Sequence, residues 1–160
     1  MRHPTLSVFS AALFAALALL PGSASAQGSV EQPAGQAPAT CKVVYVLDGD
    51  TINCEDGITV RLLLVDVPDR GRFGDEARAF VVGLLPKGTE LRLEYDKNAR
   101  DSEGRWLVYG YLPDRSLLNK RLVESGFAYV EFSAANQARL SELRTAEHSA
   151  RSQSLGLWSQ

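Results

Sequence analysis

The sequence predicts an α+β domain, mainly β, with five strands and about three helices. Three observations carry that expectation. Short runs rich in Val, Ile, Tyr and Leu recur between Gly and Asp turns, one amphipathic helical pattern interrupts them after the third run, and the C-terminal part carries its apolar residues at helical spacing. From Cys41 onward the chain has about 120 residues, the usual size of one domain with one core and too few for two.

Cys41 to Leu47 reads as the first strand, Gly49-Asp50 as a tight turn with Asp-Gly as the strongest short hairpin signal, and Thr51 to Cys54 as the returning strand. Glu55-Asp56-Gly57 turns the chain into a third strand, Ile58 to Val65. Its run Leu62-Leu63-Leu64-Val65 is apolar on both faces, as in a strand covered on both sides, and Asp66-Val67-Pro68 stops it. Asp75 is placed to cap a helix in which Ala77, Phe80, Val81 and Leu84 fall on one side before Pro86 and Gly88 end it. Glu90 to Tyr95 alternates as a fourth strand, and after the polar stretch Asp96 to Gly104 a fifth runs from Arg105 to Leu112. Leu118 and Leu122 mark a second helix closed by Gly126, and Phe127 to Glu131 is short and extended. A third helix is expected from about Asn136 to Gln153, with Leu140, Leu143 and Ala146 on one face. Five strands with a helix after the third match the five-stranded Greek-key barrel called the OB-fold. That likeness of fold says little about chemistry.

The domain, residues 41–160, is preceded by two segments of different character. Arg2 and His3, an apolar run from Leu6 to Leu20 too short to span a bilayer, and Ala24-Ser25-Ala26 have the three zones of a secretory signal. Residues 1–26 are therefore expected to be removed, leaving Gln27 as the first residue of a periplasmic or secreted protein, with a retained anchor as the alternative. Residues 27–40, with little apolar bulk, are expected to form a flexible linker. Of 17 Lys and Arg only Arg2 lies in the leader, so 16 remain against 19 Asp and Glu, a net charge of −3. A polyanion-binding protein usually carries a basic face, so any such site must concentrate arginines locally. Arg61, Arg70, Arg72, Arg78, Arg100 and Arg105 are the candidates.

Cys41 and Cys54 are the only cysteines. In an exported chain an even count is usually a disulfide, yet a two-residue turn at Gly49-Asp50 would set Cys54 opposite Tyr45 and leave Cys41 out of reach. A bulge would change that register. Both outcomes stay open on the sequence.

Charge collects beside the most apolar strand: Asp48-Gly49-Asp50-Thr51 in a turn, and Arg61 and Asp66 on either side of Leu62 to Val65. Two carboxylates from neighbouring strand ends, a backbone carbonyl and waters make an oxygen-rich site for a hard cation, with an irregularity that suits calcium better than magnesium. The plainer reading is turn chemistry at Asp48 to Asp50 and an ion pair between Arg61 and Asp66.

Taken together, Asp48-Gly49-Asp50-Thr51, then Arg61 through Asp69, then Phe73-Gly74-Asp75-Glu76-Ala77, then Gly104-Arg105, resemble the staphylococcal nuclease family in order and approximate spacing. The resemblance runs from about Val43 to Trp158 and includes the ending Leu157-Trp158-Ser159. It implies a calcium-dependent enzyme that hydrolyses DNA and RNA to a 3′-phosphate and a 5′-hydroxyl, with little sequence preference and as an expected monomer. It assigns calcium to Asp50, Asp66 and the carbonyl of Val67, the general base to Asp69, and the phosphate grip to Arg61 and Arg105. Val67 stands where the family has a threonine; the implied ligand is the backbone carbonyl, so the exchange keeps it. Asp69 stands where the family has a glutamate, which retracts the carboxylate by about 1.5 Å. Glu103 and Phe132 occupy the positions of base-stacking tyrosines, and the loop from Asp69 to Phe73 is short, bringing Arg70 and Arg72 near the substrate or leaving them solvated. These departures motivate an alternative, a catalytically weak or inactive OB-fold module that binds nucleic acid or another partner. His148 is the only histidine after the leader, which excludes a histidine-based triad or metal site. Trp106 and Trp158 read as packing residues.

Overall fold

Alternation of apolar and polar side chains gives each strand one face to bury. In the computed structural model, which describes residues 36–159, those faces close into a barrel. Its strands are β1 (Thr40–Val46), β2 (Thr51–Cys54), β3 (Thr59–Leu62), β5 (Glu90–Glu94) and β6 (Trp106–Tyr111), joined in the order β1-β2-β3-β6-β5 with β5 pairing back onto β1. All neighbours are antiparallel except β3 and β6. A separate two-stranded ribbon pairs β4 (Val65–Asp66) with β7 (Tyr129–Val130). Ile52, Val60, Leu91 and Val108 fill the barrel, while Ala77 and Val81 of α1 (Arg72–Leu84), Leu118 and Leu122 of α2 (Leu118–Glu124), and Leu143 of α3 (Leu140–Ser152) extend the core. The expected five-stranded OB-type barrel with three helices is the fold observed.

The third strand is shorter than expected. It ends at Leu62, and Leu64 takes a left-handed conformation (φ 60°) before β4 resumes. Fully buried Asn119 accounts for the break: its amide nitrogen donates to the carbonyls of Leu63 (2.8 Å) and Val108 (3.3 Å), and its oxygen accepts from Gly110 N–H (3.0 Å). The backbone groups that a continuing strand would pair are thereby satisfied, as burial requires. All four residues from Leu62 to Val65 are buried, so the apolar run is explained by cover from both sides, although it is not one strand.

Three boundaries differ for identifiable reasons. Helix α1 begins at Arg72, with Gly71 ahead of it, and Asp75 lies inside the first turn instead of capping it. Gly74 lies so close to the Pro68 carbonyl that a Cβ there would collide with it, which docks the first turn before Asp75 is reached. Helix α3 begins at Leu140 because buried Asn136 fastens the preceding loop, accepting from Asn98 N–H (2.8 Å) and donating to the Asn98 carbonyl (3.0 Å). The end of the expected linker is docked: Thr40 is in β1, the Ala39 carbonyl accepts from Leu93 N–H (2.9 Å), and the Pro38 carbonyl from the Tyr95 hydroxyl (2.6 Å). The leader and cleavage site, residues 1–26, lie outside the described residues. Among the described residues, no helix is long and apolar enough to cross a membrane.

The hairpin resolves the cysteine question. A bulge between Val43 and Tyr45 shifts the register so that Cys54 faces Val43, not Tyr45, and Cys41 comes within 5.3 Å (Cα to Cα) as its disulfide partner. The bridge joins cysteines 13 positions apart in sequence, and the loop it closes carries Asp48 to Asp50. By chain entropy a loop of this size is stabilised by about 3 kcal/mol. Denaturant unfolding with and without reductant should therefore differ by about that amount, and equal midpoints would show that the bridge adds nothing.

Candidate active site

Three segments converge at one end of the hairpin: the β1–β2 turn, the end of β3 and the ribbon strand β4. The turn is tied to β3 by Leu62 N–H donating to the Asp50 carbonyl (2.8 Å). Arg61, the penultimate residue of β3, directs Nη1 at Asp50 Oδ1 (2.8 Å) and Nη2 toward Asp66 Oδ1 (4.0 Å). One guanidinium thus links the two carboxylates. The closer partner is Asp50, not the Asp66 of the plainer expectation, because Asp50 is buried (3 % exposed) and has greater need of a counter-charge.

Asp50 also accepts from the Thr51 hydroxyl (2.9 Å), and its N–H donates to Asp48 Oδ1 (3.3 Å). Burial pushes its carboxyl from 3.8 up to about 7; the Arg61 guanidinium opposes the rise, the neighbouring Asp48 adds to it, and the Thr51 hydroxyl offsets part. Desolvation therefore exceeds what one partly exposed guanidinium restores, and further positive charge beside Asp50 would be favourable. Oxygen donors of this kind, with the Asp66 carboxylate adjacent, fit a hard cation. Among the described residues no three His, Cys, Asp or Glu side chains cluster, so a cation here would depend on backbone oxygen and water as well.

Val67 directly follows β4, with its side chain buried. A Cβ on Gly49 would stand 2.6 Å from Val67 Cγ1 and 3.0 Å from Ala77 Cβ, so glycine is what lets the turn settle onto this segment. Asp69 lies in the exposed loop before α1 and makes no side-chain hydrogen bond or ion pair with the described residues.

Arg105 is placed from the other side, just ahead of β6. Its Nε donates to Asp101 Oδ2 (2.7 Å) and its Nη2 approaches Glu103 (3.4 Å). Burial works against its charge, but Asp101, then Glu103 and Asp50, hold its pKa above the ordinary arginine value. Arg105 is beyond ion-pair distance of Asp50 and Asp66 yet within electrostatic reach of Asp50. Asp101 is the positioning residue that sequence reasoning missed. Burial raises its carboxyl, and hydrogen bonds from the Arg105 side chain and backbone more than reverse this, leaving it below the ordinary range. The signal was available: Asp101 stands at the head of a turn through Gly104, where aspartate accepts backbone N–H groups, here of Glu103 and Arg105.

Of the other arginines, Arg72 pairs with Glu76 (2.7 Å) along the exposed side of α1, and Arg100 stacks over Trp106 (3.7 Å to the ring centroid). Phe132 is 62 % exposed.

Comparison with known proteins places this geometry. The model of the staphylococcal nuclease homologue family matches residues 59–160. A thermonuclease of Staphylococcus hyicus is 32 % identical over 130 residues, 75 % of this chain and 76 % of that protein. An endonuclease of Bacillus subtilis is 34 % identical, covering 71 % of this chain and 58 % of that protein, and an uncharacterized endonuclease of Escherichia coli O157:H7 is 32 % identical over 74 % and 76 %.

The buried Asp50 makes a pH prediction for metal-free protein. The unfolded carboxyl releases its proton near 3.8 and the folded one near 7. Between those values the folded state binds more protons, so this group's contribution to stability falls as pH rises through the window and is constant on either side. Stability curves of the wild type and Asp50→Asn should diverge from about pH 4 to about pH 7, with the variant gaining on the wild type. Parallel curves would show that Asp50 does not carry a raised pKa.

Proposed function

Because the chain belongs to the staphylococcal nuclease family and is a nuclease of that family, we propose that it is an exported, calcium-dependent phosphodiesterase cutting DNA and RNA with little sequence preference. The observation that carries this reading is the convergence of Asp50, Arg61 and Asp66, with one guanidinium between a buried and an exposed carboxylate. Asp50, Asp66 and the Val67 carbonyl would hold calcium, which when bound supplies positive charge and Lewis acidity at a phosphate.

The chain's own groups account for the rest. A phosphodiester is already anionic, so a nucleophile has to reach it against like charge. Arg61 and Arg105 offset that repulsion: each fork can donate to two phosphate oxygens and stays protonated at any working pH. Asp69, exposed and free of internal partners among the described residues, takes a proton from water. The water oxygen bonds to phosphorus while the bond to the 5′ oxygen breaks; that oxygen takes a proton from solvent water and leaves as a 5′-hydroxyl, and the phosphate remains on the 3′ side. Asp101 fixes Arg105, and exposed Phe132 stands ready to stack on a base. Among the described residues no helix or ribbon presents a base-reading pattern, which supports low sequence preference. The protein is proposed to act as a monomer in the periplasm or outside the cell.

Digestion of single-stranded DNA should proceed with calcium, fall with magnesium and stop with chelator; full activity in chelator would remove the metal assignment. Asp50→Ala and Asp66→Ala should weaken calcium binding measured by calorimetry. Arg61→Ala or Arg105→Ala should lower kcat by about a hundred- to a thousandfold and change KM far less. An effect confined to KM would make them binding residues only. Asp69→Ala should cost about 10² to 10⁴ in kcat, and Asp69→Glu should raise kcat by extending the reach of the base. Unchanged activity in Asp69→Ala would transfer the role to Asp75 or Glu76.

A further inference from the structure

The outer face of β1, β2 and β3 continues away from Arg61. Tyr45 pairs with Asn53 and Asn53 with Thr59, and Arg61 stands two residues beyond Thr59, opposite Thr51. The intervening residues Val46, Ile52 and Val60 are buried in the barrel, so Tyr45, Asn53, Thr59 and Arg61 share the outward face. Thr51, its hydroxyl given to Asp50, is the covered inner end of this row, and the row opens toward Tyr45.

Tyr45 is 52 % exposed, and among the described residues its ring stacks on no other aromatic. An open depression of about 240 Å³ lies beside it, lined by Val44, Tyr45, Asn53, Cys54, Gly57 and Ile58. That is less than the roughly 300–1,000 Å³ of sites that enclose a whole small molecule, and it suits one planar group. Asn53 Oδ1 accepts from the Thr59 hydroxyl (2.7 Å), which leaves its amide N–H donors for an outside acceptor. Leu47, 51 % exposed, extends the apolar strip, and its carbonyl accepts from Arg78 Nε (3.0 Å). This anchors a guanidinium of α1 at the hairpin, where it forms no ion pair among the described residues.

We propose that this face is a second nucleotide subsite, in which an unpaired base flanking the cleaved bond stacks on Tyr45 with its edge toward Asn53, and Arg78 holds a backbone phosphate. The proposal rests on the nuclease reading above. Tyr45 stands two strand spacings and two residues from Arg61, on the order of 12 Å, within the stretch of about 4–16 nucleotides that one barrel of this type covers. An exposed aromatic for base stacking with a cation nearby for the backbone is the combination that binds single strands without reading sequence, and here Tyr45 supplies the first and Arg78 the second. The same ring has nothing to stack on in a paired duplex, so the subsite favours single-stranded substrate.

The test compares the full chain and its variants on a single-stranded deoxyoligonucleotide long enough to cross the barrel and on a dinucleotide confined to the cleavage site. Tyr45→Ala should raise KM for the long substrate about five- to a hundredfold, leave kcat unchanged, and leave dinucleotide KM unchanged. Tyr45→Phe should restore the wild-type value. Arg78→Gln should weaken long-substrate binding and reduce its salt dependence by about one single-strand phosphate contact. Wild-type KM in Tyr45→Ala on the long substrate, or equal losses on both substrates, would overturn the subsite while leaving the nuclease reading intact. If the wild type cleaves neither substrate, the nuclease reading fails, and fluorescence anisotropy of the labelled oligonucleotide reads the subsite separately: weaker binding by Tyr45→Ala supports it and unchanged binding overturns it.

Discussion

Asn119 sits at 0 % exposure with three backbone partners, and the placement of the site's charges depends on what it does there. The chain has to leave the barrel between Leu62 and Val65, because β3 belongs to the closed sheet and β4 pairs with β7 elsewhere. Leaving a barrel exposes backbone groups inside an apolar environment, at a cost of about 1–3 kcal/mol for each one left unpaired. A primary amide is the side chain that can both donate and accept in one plane, and it stitches Leu63, Val108 and Gly110 across the gap. Leu64 can then hold a left-handed conformation, its carbonyl accepting from Glu131 N–H (3.1 Å). Arg61 before the break and Asp66 after it come to lie near each other in consequence. A straight strand would have spread them along its length.

The same economy governs Asp50. A buried carboxylate is unfavourable unless paired, and pairing with a single, partly exposed arginine leaves it short of compensation. Structural ion pairs are usually closed off by further hydrogen bonds; Glu147 is such a case, accepting from Val130 N–H (2.8 Å), Arg144 (3.1 Å) and Arg151 (3.4 Å). Asp50 has one guanidinium and the Thr51 hydroxyl where Glu147 has two guanidinium groups and a backbone N–H, and its nearest neighbours include another carboxylate, Asp48. The contrast between two buried acids in one domain separates a group that holds elements together from one left with charge to satisfy, which is what the proposed cation site at Asp50 draws on.

Much of this was legible in the residues. The barrel strands, the turn at Asp48 to Asp50 and the helical stripes of α1 and α3 follow from local period and turn chemistry, which act over a few residues. What was hidden depended on partners far along the chain. Leu62 to Val65 reads as one strand because an apolar run has no signal for the amide of Asn119, more than fifty residues later. The register of Cys41 and Cys54 turned on one bulged residue, and a bulge leaves no composition mark. Asp75 looks like a helix cap, but the helix start was decided by contact between Gly74 and Pro68. At the site, Asp50, Arg61 and Asp66 are brought together as their strand ends suggested, whereas Arg105 arrives by way of Asp101 and stays at longer range.

The two remaining elements of the site, the turn and the loop of Asp69, are coupled through one apolar point. Gly49, Val67 and Ala77 touch there, and they belong respectively to the turn that carries Asp50, the segment that carries Asp66 and the helix that follows Asp69. With no Cβ on Gly49, the Val67 methyl groups pack onto the turn itself, and Ala77 is small enough for α1 to close over both. A valine suits this position because its side chain is sealed, and a hydroxyl there would need a hydrogen-bond partner that the methyl contacts do not offer. The carboxylates and the loop of Asp69 are therefore fixed relative to one another by packing more than by charge. Since α1 is docked by Gly74 against Pro68 and by Ala77 against Gly49, the backbone of Asp69 is held at both ends of a short loop. The reach of that carboxylate is then a matter of side-chain length, which is why the proposed role of Asp69 as base turns on whether an aspartate extends far enough from this backbone.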